Sequence, residues 1–106
     1  MKSRKITLKD TKTFDRGDFD GNIFISDEDN IGLNAFEVHV HGKHPLKIIE
    51  GKTRIYRVES GTGTFTLDGE THTVQIGDVY IISNGSTYEY EGNMVLWEMN
   101  VIDQVK

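Results

Sequence analysis

Cysteine is missing from all 106 residues, which removes disulfides, thiolate metal sites and cysteine nucleophiles together. No apolar run approaches the ~18 residues that a membrane-spanning helix needs, so membrane insertion is not expected. Met1 to Lys12 is charged and lacks an apolar stretch followed by small residues, so no secretory signal is read there and the cytoplasm is the expected compartment. Basic runs are also lacking, and the net charge is -5. Nucleic-acid affinity depends on clustered Lys and Arg, so that class of partner is set aside. Finally, helical periodicity is hard to find anywhere in the chain.

What is present is a series of short alternating runs separated by Gly, Asn and Asp at spacings of about ten residues, the pattern of sandwiches and barrels. Strands are expected at Lys5 to Leu8, Asn22 to Ser26, Asn34 to His41, Arg54 to Glu59, Gly63 to Leu67, Thr71 to Gln75, Val79 to Ile82, Thr87 to Glu91 and Met94 to Val101. Asp68-Gly69 between Leu67 and Glu70 predicts a type I′ hairpin, because both residues accept positive φ. Alternation puts Arg54, Tyr56 and Val58 on one face and Ile55, Arg57 and Glu59 on the other. Tyr88 and Tyr90 share a face in the same way. Met94 to Met99 begins apolar on both faces, which fits a central strand or one covered by a second subunit, and so a homodimer is expected.

Tyr56 to Glu70, followed by Gly77-Asp78-Val79-Tyr80-Ile81-Ile82, resembles the cupin superfamily, with similarity over about Gly42 to Val101. The resemblance implies an all-β chain folded as a cupin jelly-roll β-barrel, with antiparallel strands in two facing sheets. Residues 1–106 would form a single domain, with the N-terminal strands in 1–41. The family's first motif runs Gly, five residues, His-X-His, three or four residues, Glu, six residues, Gly. Counted back from Gly61, it places Arg54 at the Glu position, Glu50 and Ile48 at the His positions, and Gly42 at the start. In the second motif Gly77 and Gly85 keep their places and Tyr88 stands where the His ligand belongs. The family's divalent metal would therefore meet Ile48, Glu50, Arg54 and Tyr88, a set with a permanent cation where a carboxylate normally sits. No cofactor is predicted on this basis.

The resemblance aims Glu50, Arg54 and Tyr88 into the barrel. A buried Arg needs a partner, and Glu50 is the expected one. In a structural reading these residues plug the barrel. In a functional reading Arg54 grips the carboxylate or phosphate of a small ligand, with Glu50 beside it and Tyr56, Tyr88 and Tyr90 supplying aromatic walls and hydroxyls. A metal-free enzyme would use Tyr88 as acid and Glu50 as base. His39, His41 and His44 are the alternative set for a divalent metal, since His39 and His41 share a strand face. Against that set, alternation groups Phe36, Val38 and Val40 on the apolar side and turns Glu37, His39 and His41 away from it. Asp18-Phe19-Asp20-Gly21 mimics part of a calcium loop but has Arg16 at its first ligand position, so it reads as a turn. The expectation is thus a barrel that binds a polar or anionic organic small molecule, with an isomerase-, lyase- or dioxygenase-like enzyme or a plugged regulatory dimer as the competing readings.

Overall fold

The computed structural model describes residues 3–102; the extreme ends of the expected domain, 1–2 and 103–106, lie outside the described residues. Seven strands follow in order: β1 Lys12–Asp15, β2 Phe19–Ile25, β3 Leu33–Ile48, β4 Lys52–Leu67, β5 Glu70–Thr73, β6 Val79–Ile82 and β7 Thr87–Ile102. Two 3-10 turns, Leu8–Asp10 and Asp27–Asp29, complete the elements, and there is no α-helix among the described residues. The expected strand at Lys5 to Leu8 does not form. Asp10 instead accepts hydrogen bonds from the Thr7 backbone N–H (2.8 Å) and hydroxyl (2.9 Å), which caps a 3-10 turn and delays the first strand to Lys12.

All pairings are antiparallel and belong to one sheet with the order β1-β2-β3-β7-β4-β5, while β6 pairs with the first part of β4. The two expected facing sheets are thus the two halves of one hydrogen-bonded sheet. Two pairs of segments expected as separate strands are continuous: Arg54–Glu59 with Gly63–Leu67 in β4, and Thr87–Glu91 with Met94–Val101 in β7. A straight strand of 16 residues would run about 50 Å at ~3.3 Å per residue. The longest dimension of the molecule is 41 Å, so the three central strands must bend.

They bend along a row of glycines. Gly42 pairs with Gly92, and Gly92 pairs with Gly63. A Cβ on Gly63 would lie 2.4 Å from the Glu91 carbonyl oxygen, and one on Gly92 would lie 2.3 Å from that of Thr62. Only hydrogen fits between backbones that close.

Bulges accompany the bend and change which residues face inward. In β4 the register shifts between Val58 and Ser60, so Arg54, Tyr56 and Val58 point in before the shift and Phe65 after it. In β3 it shifts between His44 and Lys47, where Pro45 stands. Proline, having no N–H to give a ladder, suits a bulge. The hairpin is as expected: Leu67 pairs with Glu70, and Asp68 and Gly69 have φ of 48° and 83°. β7 is central, lying between β3 and β4, which accounts for its apolar start.

The enclosed space has two ends. One is packed around Phe65, which stacks on Tyr80 with centroids 4.3 Å apart and touches Tyr56 and Tyr90. Val58, Met94 and Leu96 fill the same core. The other end is polar.

Candidate functional site

Four polar side chains are buried at that end: His44 from β3, Arg54 from β4, and Glu98 and Asn100 from β7. Arg54 donates its Nε–H to Asn100 Oδ1 (2.6 Å) and an Nη1–H to the Tyr88 hydroxyl (2.5 Å). Glu98 lies 3.5 Å from Arg54 Nε as its ion-pair partner and accepts an N–H from Asn100 at 2.8 Å. The second Asn100 N–H goes to Asn34 Oδ1 at 2.8 Å, so that amide is fully used.

The proton positions around Tyr88 follow from its partners. His44 Nδ1 lies 2.7 Å from the Pro45 carbonyl oxygen, which only accepts, so Nδ1 carries the proton and Nε2 is the acceptor. Tyr88 Oη is 3.3 Å from that Nε2 and donates to it. Its lone pairs then receive Arg54 and the Tyr56 hydroxyl, the latter at 3.0 Å. The order is therefore fixed from Tyr56 through Tyr88 to His44 and Pro45. The His44 ring also stacks on Tyr88 at 5.1 Å and packs against Phe19 and Tyr90.

Electrostatics agree with this assignment. Burial, aided by the charge of Arg54, holds the His44 imidazole below the usual histidine range and hence neutral. Burial works against the Arg54 charge, but the Glu98 carboxylate and the hydrogen bond to the Tyr88 hydroxyl oppose it and the guanidinium stays charged. Burial raises the hydroxyl pKa of Tyr56, Tyr88 and Tyr90, which keeps all three protonated.

A cavity of about 280 Å³ opens above this cluster. Arg54, Glu98 and His44 lie at its polar end, Phe14, Phe19 and Phe36 among its apolar walls, and Arg16 and Lys47 also reach it. Side chains fill the other end of the barrel and leave this end open.

Of the expected site residues, Arg54, Tyr56, Tyr88 and Tyr90 are brought together at the barrel interior. Glu50 is not among them. It stands exposed beyond the end of β3, and Ile48 is half exposed beside it. The β3 bulge is the reason: it adds one residue, so Lys47 and Ile49 take the inward phase and Ile48 and Glu50 the outward one. Glu98, not Glu50, is the carboxylate beside Arg54.

The alternative metal set is split as well. His44 is inside, whereas His39 and His41 lie on the outer face, both bonded to Asp20, with His39 also bonded to Glu37. Asp20 itself is in β2 rather than in a turn. Among the described residues no three His, Asp or Glu side chains form a metal-holding group. At the cavity the candidate donors are one imidazole and one carboxylate, with a guanidinium against them, and this set does not fit a divalent ion.

His44, Glu98 and Asn100 were missed in the sequence, although a signal existed. His44 has the parity of Val38 and Val40, and Glu98 and Asn100 continue that of Met94 and Leu96. Arg16 and Lys47 carried no such signal, since a turn and a bulge place them.

A bent antiparallel barrel with an aromatic core, a glycine crease and a polar end opening to a cavity is a cupin-fold barrel, and the comparisons with solved structures agree. Pac13 from Streptomyces, described as a unique nucleoside dehydratase, superposes with a TM-score of 0.82 at 18% identity over 98% of this chain and 86% of its own. KdgF from Halomonas sp. gives 0.82 at 14% identity, covering 97% and 96% of the two chains. An RmlC-like cupin from Shewanella frigidimarina gives 0.79 at 13%, covering 96% and 94%. Variants of Pac13 with a tyrosine changed to phenylalanine, at either of two positions, or a histidine changed to glutamine have been solved with uridine. No family model matches this chain, and neither does any curated protein.

Proposed function

We propose that this chain is a small-molecule-binding cupin that takes a polar, hydroxyl-bearing organic molecule into the barrel without a metal. The observation that carries the reading is the cavity of about 280 Å³ whose polar end is Arg54, Glu98 and His44 in one hydrogen-bonded network, with three phenylalanines among its walls. Such a site offers donors and acceptors to hydroxyls and an apolar surface to a ring. A nucleoside is a reasonable first probe, because Pac13 variants hold uridine and differ from their parent at tyrosines and a histidine, the residue types gathered here. Uridine should shift the ring signals of His44 in an NMR titration of the metal-free protein, and His44→Gln should weaken that binding while leaving the fold intact. A protein that arrives from untagged purification with one equivalent of bound metal would defeat the metal-free part of the reading.

A second reading, a metal-free enzyme, is favoured by the neutral His44 at the cavity, backed by the buried and protonated Tyr88. His44, rather than Glu50, is the cavity group placed to exchange a proton with a ligand, with Tyr88 buried behind it as its hydrogen-bond partner. Turnover that persists with a chelator but disappears in both His44→Gln and Tyr88→Phe would support it.

A homodimer fits the outer face of the sheet. Ile81, Ile55 and Met99 form one cross-strand row there, with Val79 and Val101 beside it, and Ile81 is 61% exposed. A second copy of the chain is the proposed cover.

A further inference from the structure

The charges around the cavity do not balance. Deep in the barrel Arg54 is matched by Glu98 at 3.5 Å. At the mouth stand Arg16, in the turn between β1 and β2, and Lys47, near the end of β3, both reaching the cavity and both exposed. Among the described residues neither forms an ion pair, although the chain has 17 carboxylates and a net charge of -5. An acidic protein has thus kept two cations without an ion-pair partner at the entrance of its cavity.

The placement of Lys47 is specific. In an unbroken strand it would share the outward phase of His39 and His41, because its number has their parity. The bulge between His44 and Lys47 reverses that phase and sets it opposite Tyr88, on the side of Arg54. Desolvation of its exposed side chain at the mouth, together with the nearby charges of Arg54 and Lys52, outweighs the pull of Glu98 and holds its ammonium below the usual lysine range. A negative charge at the mouth would relieve this repulsion.

We infer that the ligand of this barrel carries an anionic group, a phosphate or a carboxylate, which Lys47 and Arg16 hold at the mouth while its hydroxyl-bearing part reaches toward Arg54, His44 and Glu98. The inference rests on the reading of the barrel as a small-molecule site and adds the charge and orientation of what enters. Arg54 is not the anion clamp, since two of its five donors are committed to Asn100 and Tyr88 and its charge is matched by Glu98. Cavity size points the same way. Small-ligand pockets run from about 300 to 1,000 Å³. At about 280 Å³ this one suits a ring of sugar size and leaves a charged substituent at the rim.

The test compares uridine, uridine 5′-monophosphate and inorganic phosphate by calorimetry and by the His44 ring signals, in the parent protein and in the Lys47→Gln/Arg16→Gln variant. The nucleotide should bind at least about tenfold more tightly than uridine. That advantage should shrink with added salt and disappear in the double variant, whose uridine binding serves as the control for an intact cavity. A nucleotide no tighter than uridine, or an advantage that survives in the double variant, overturns the inference and leaves the binding barrel standing. Inorganic phosphate binding as tightly as the nucleotide overturns it too, because the anion would then be no part of an organic ligand. His44 signals unmoved by every probe would remove both readings.

Discussion

At Glu98 a carboxylate that is 7% exposed faces a guanidinium buried to the same degree, and each depends on the other. Removing one partner of such a pair strands a buried charge, at a cost of about 3–5 kcal/mol. Glu98→Ala should therefore lower the unfolding free energy by about that amount, and Glu98→Leu combined with Arg54→Met should recover much of the loss in denaturant titrations. If the double variant is as unstable as the single one, the pair is not the source of the effect. His44 gives a pH prediction. Its folded pKa lies below the ordinary 6.5, so the unfolded chain binds this proton more readily. The stability linked to His44 is complete above pH 6.5 and is lost as the pH falls toward the folded value. His39 works in the opposite direction, though weakly because its side chain is 40% exposed. Burial disfavours its charge, but Glu37 and Asp20 raise its pKa above 6.5, so its contribution is present below 6.5 and fades as the pH rises. Between pH 7 and 5 the parent should lose more stability than His44→Gln does; a larger loss in the variant would reverse the sign.

The elements that decide the shape are the three 16-residue strands and the glycines on which they fold. Gly63→Ala would drive a methyl group to within 2.4 Å of a backbone oxygen that has no flexible end to move away. Gly69 has φ of +83° with open space around it, so Gly69→Ala meets only the left-handed backbone penalty of about 1–2 kcal/mol. Thermal unfolding should rank Gly63→Ala as clearly the more damaging; equal losses would mean that the crease is pliable. The same strands show why half of the site was legible. Within one unbroken strand, period-two alternation grouped Arg54 with Tyr56 and Tyr88 with Tyr90 correctly. Across the bulge it failed, because a single inserted residue inverts every later position. The bulge is also why Glu50, expected inside from the motif spacing of the resemblance, faces outward, and why Lys47 went unnoticed.

For the whole molecule the open question is what covers the outer face of the sheet. Ile81 and Val79 are 61% and 54% exposed on β6, next to Ile55 of β4 and Met99 of β7. If a second copy is seated there, sedimentation should report a dimer and Ile81→Lys should shift it to monomer without loss of the β-sheet signal. A parent protein that sediments as a monomer at high concentration would refute the pairing.

The sequence by itself determined what depends on neighbours in the chain. The period of two with turns about every ten residues required an all-β fold, Asp68-Gly69 specified its hairpin, and the spacing of Gly42 and Gly61 carried the resemblance to cupins. Only the tertiary structure decided what depends on registers between distant strands. It placed Glu98 and Asn100 beside Arg54, brought His44 to Tyr88, and set Arg16 and Lys47 at one mouth. The physical reason is that a bulge leaves little mark on local hydrophobicity yet rotates all that follows it to the opposite face, so the chemistry of the cavity follows from the pairing of strands more than from the order of residues.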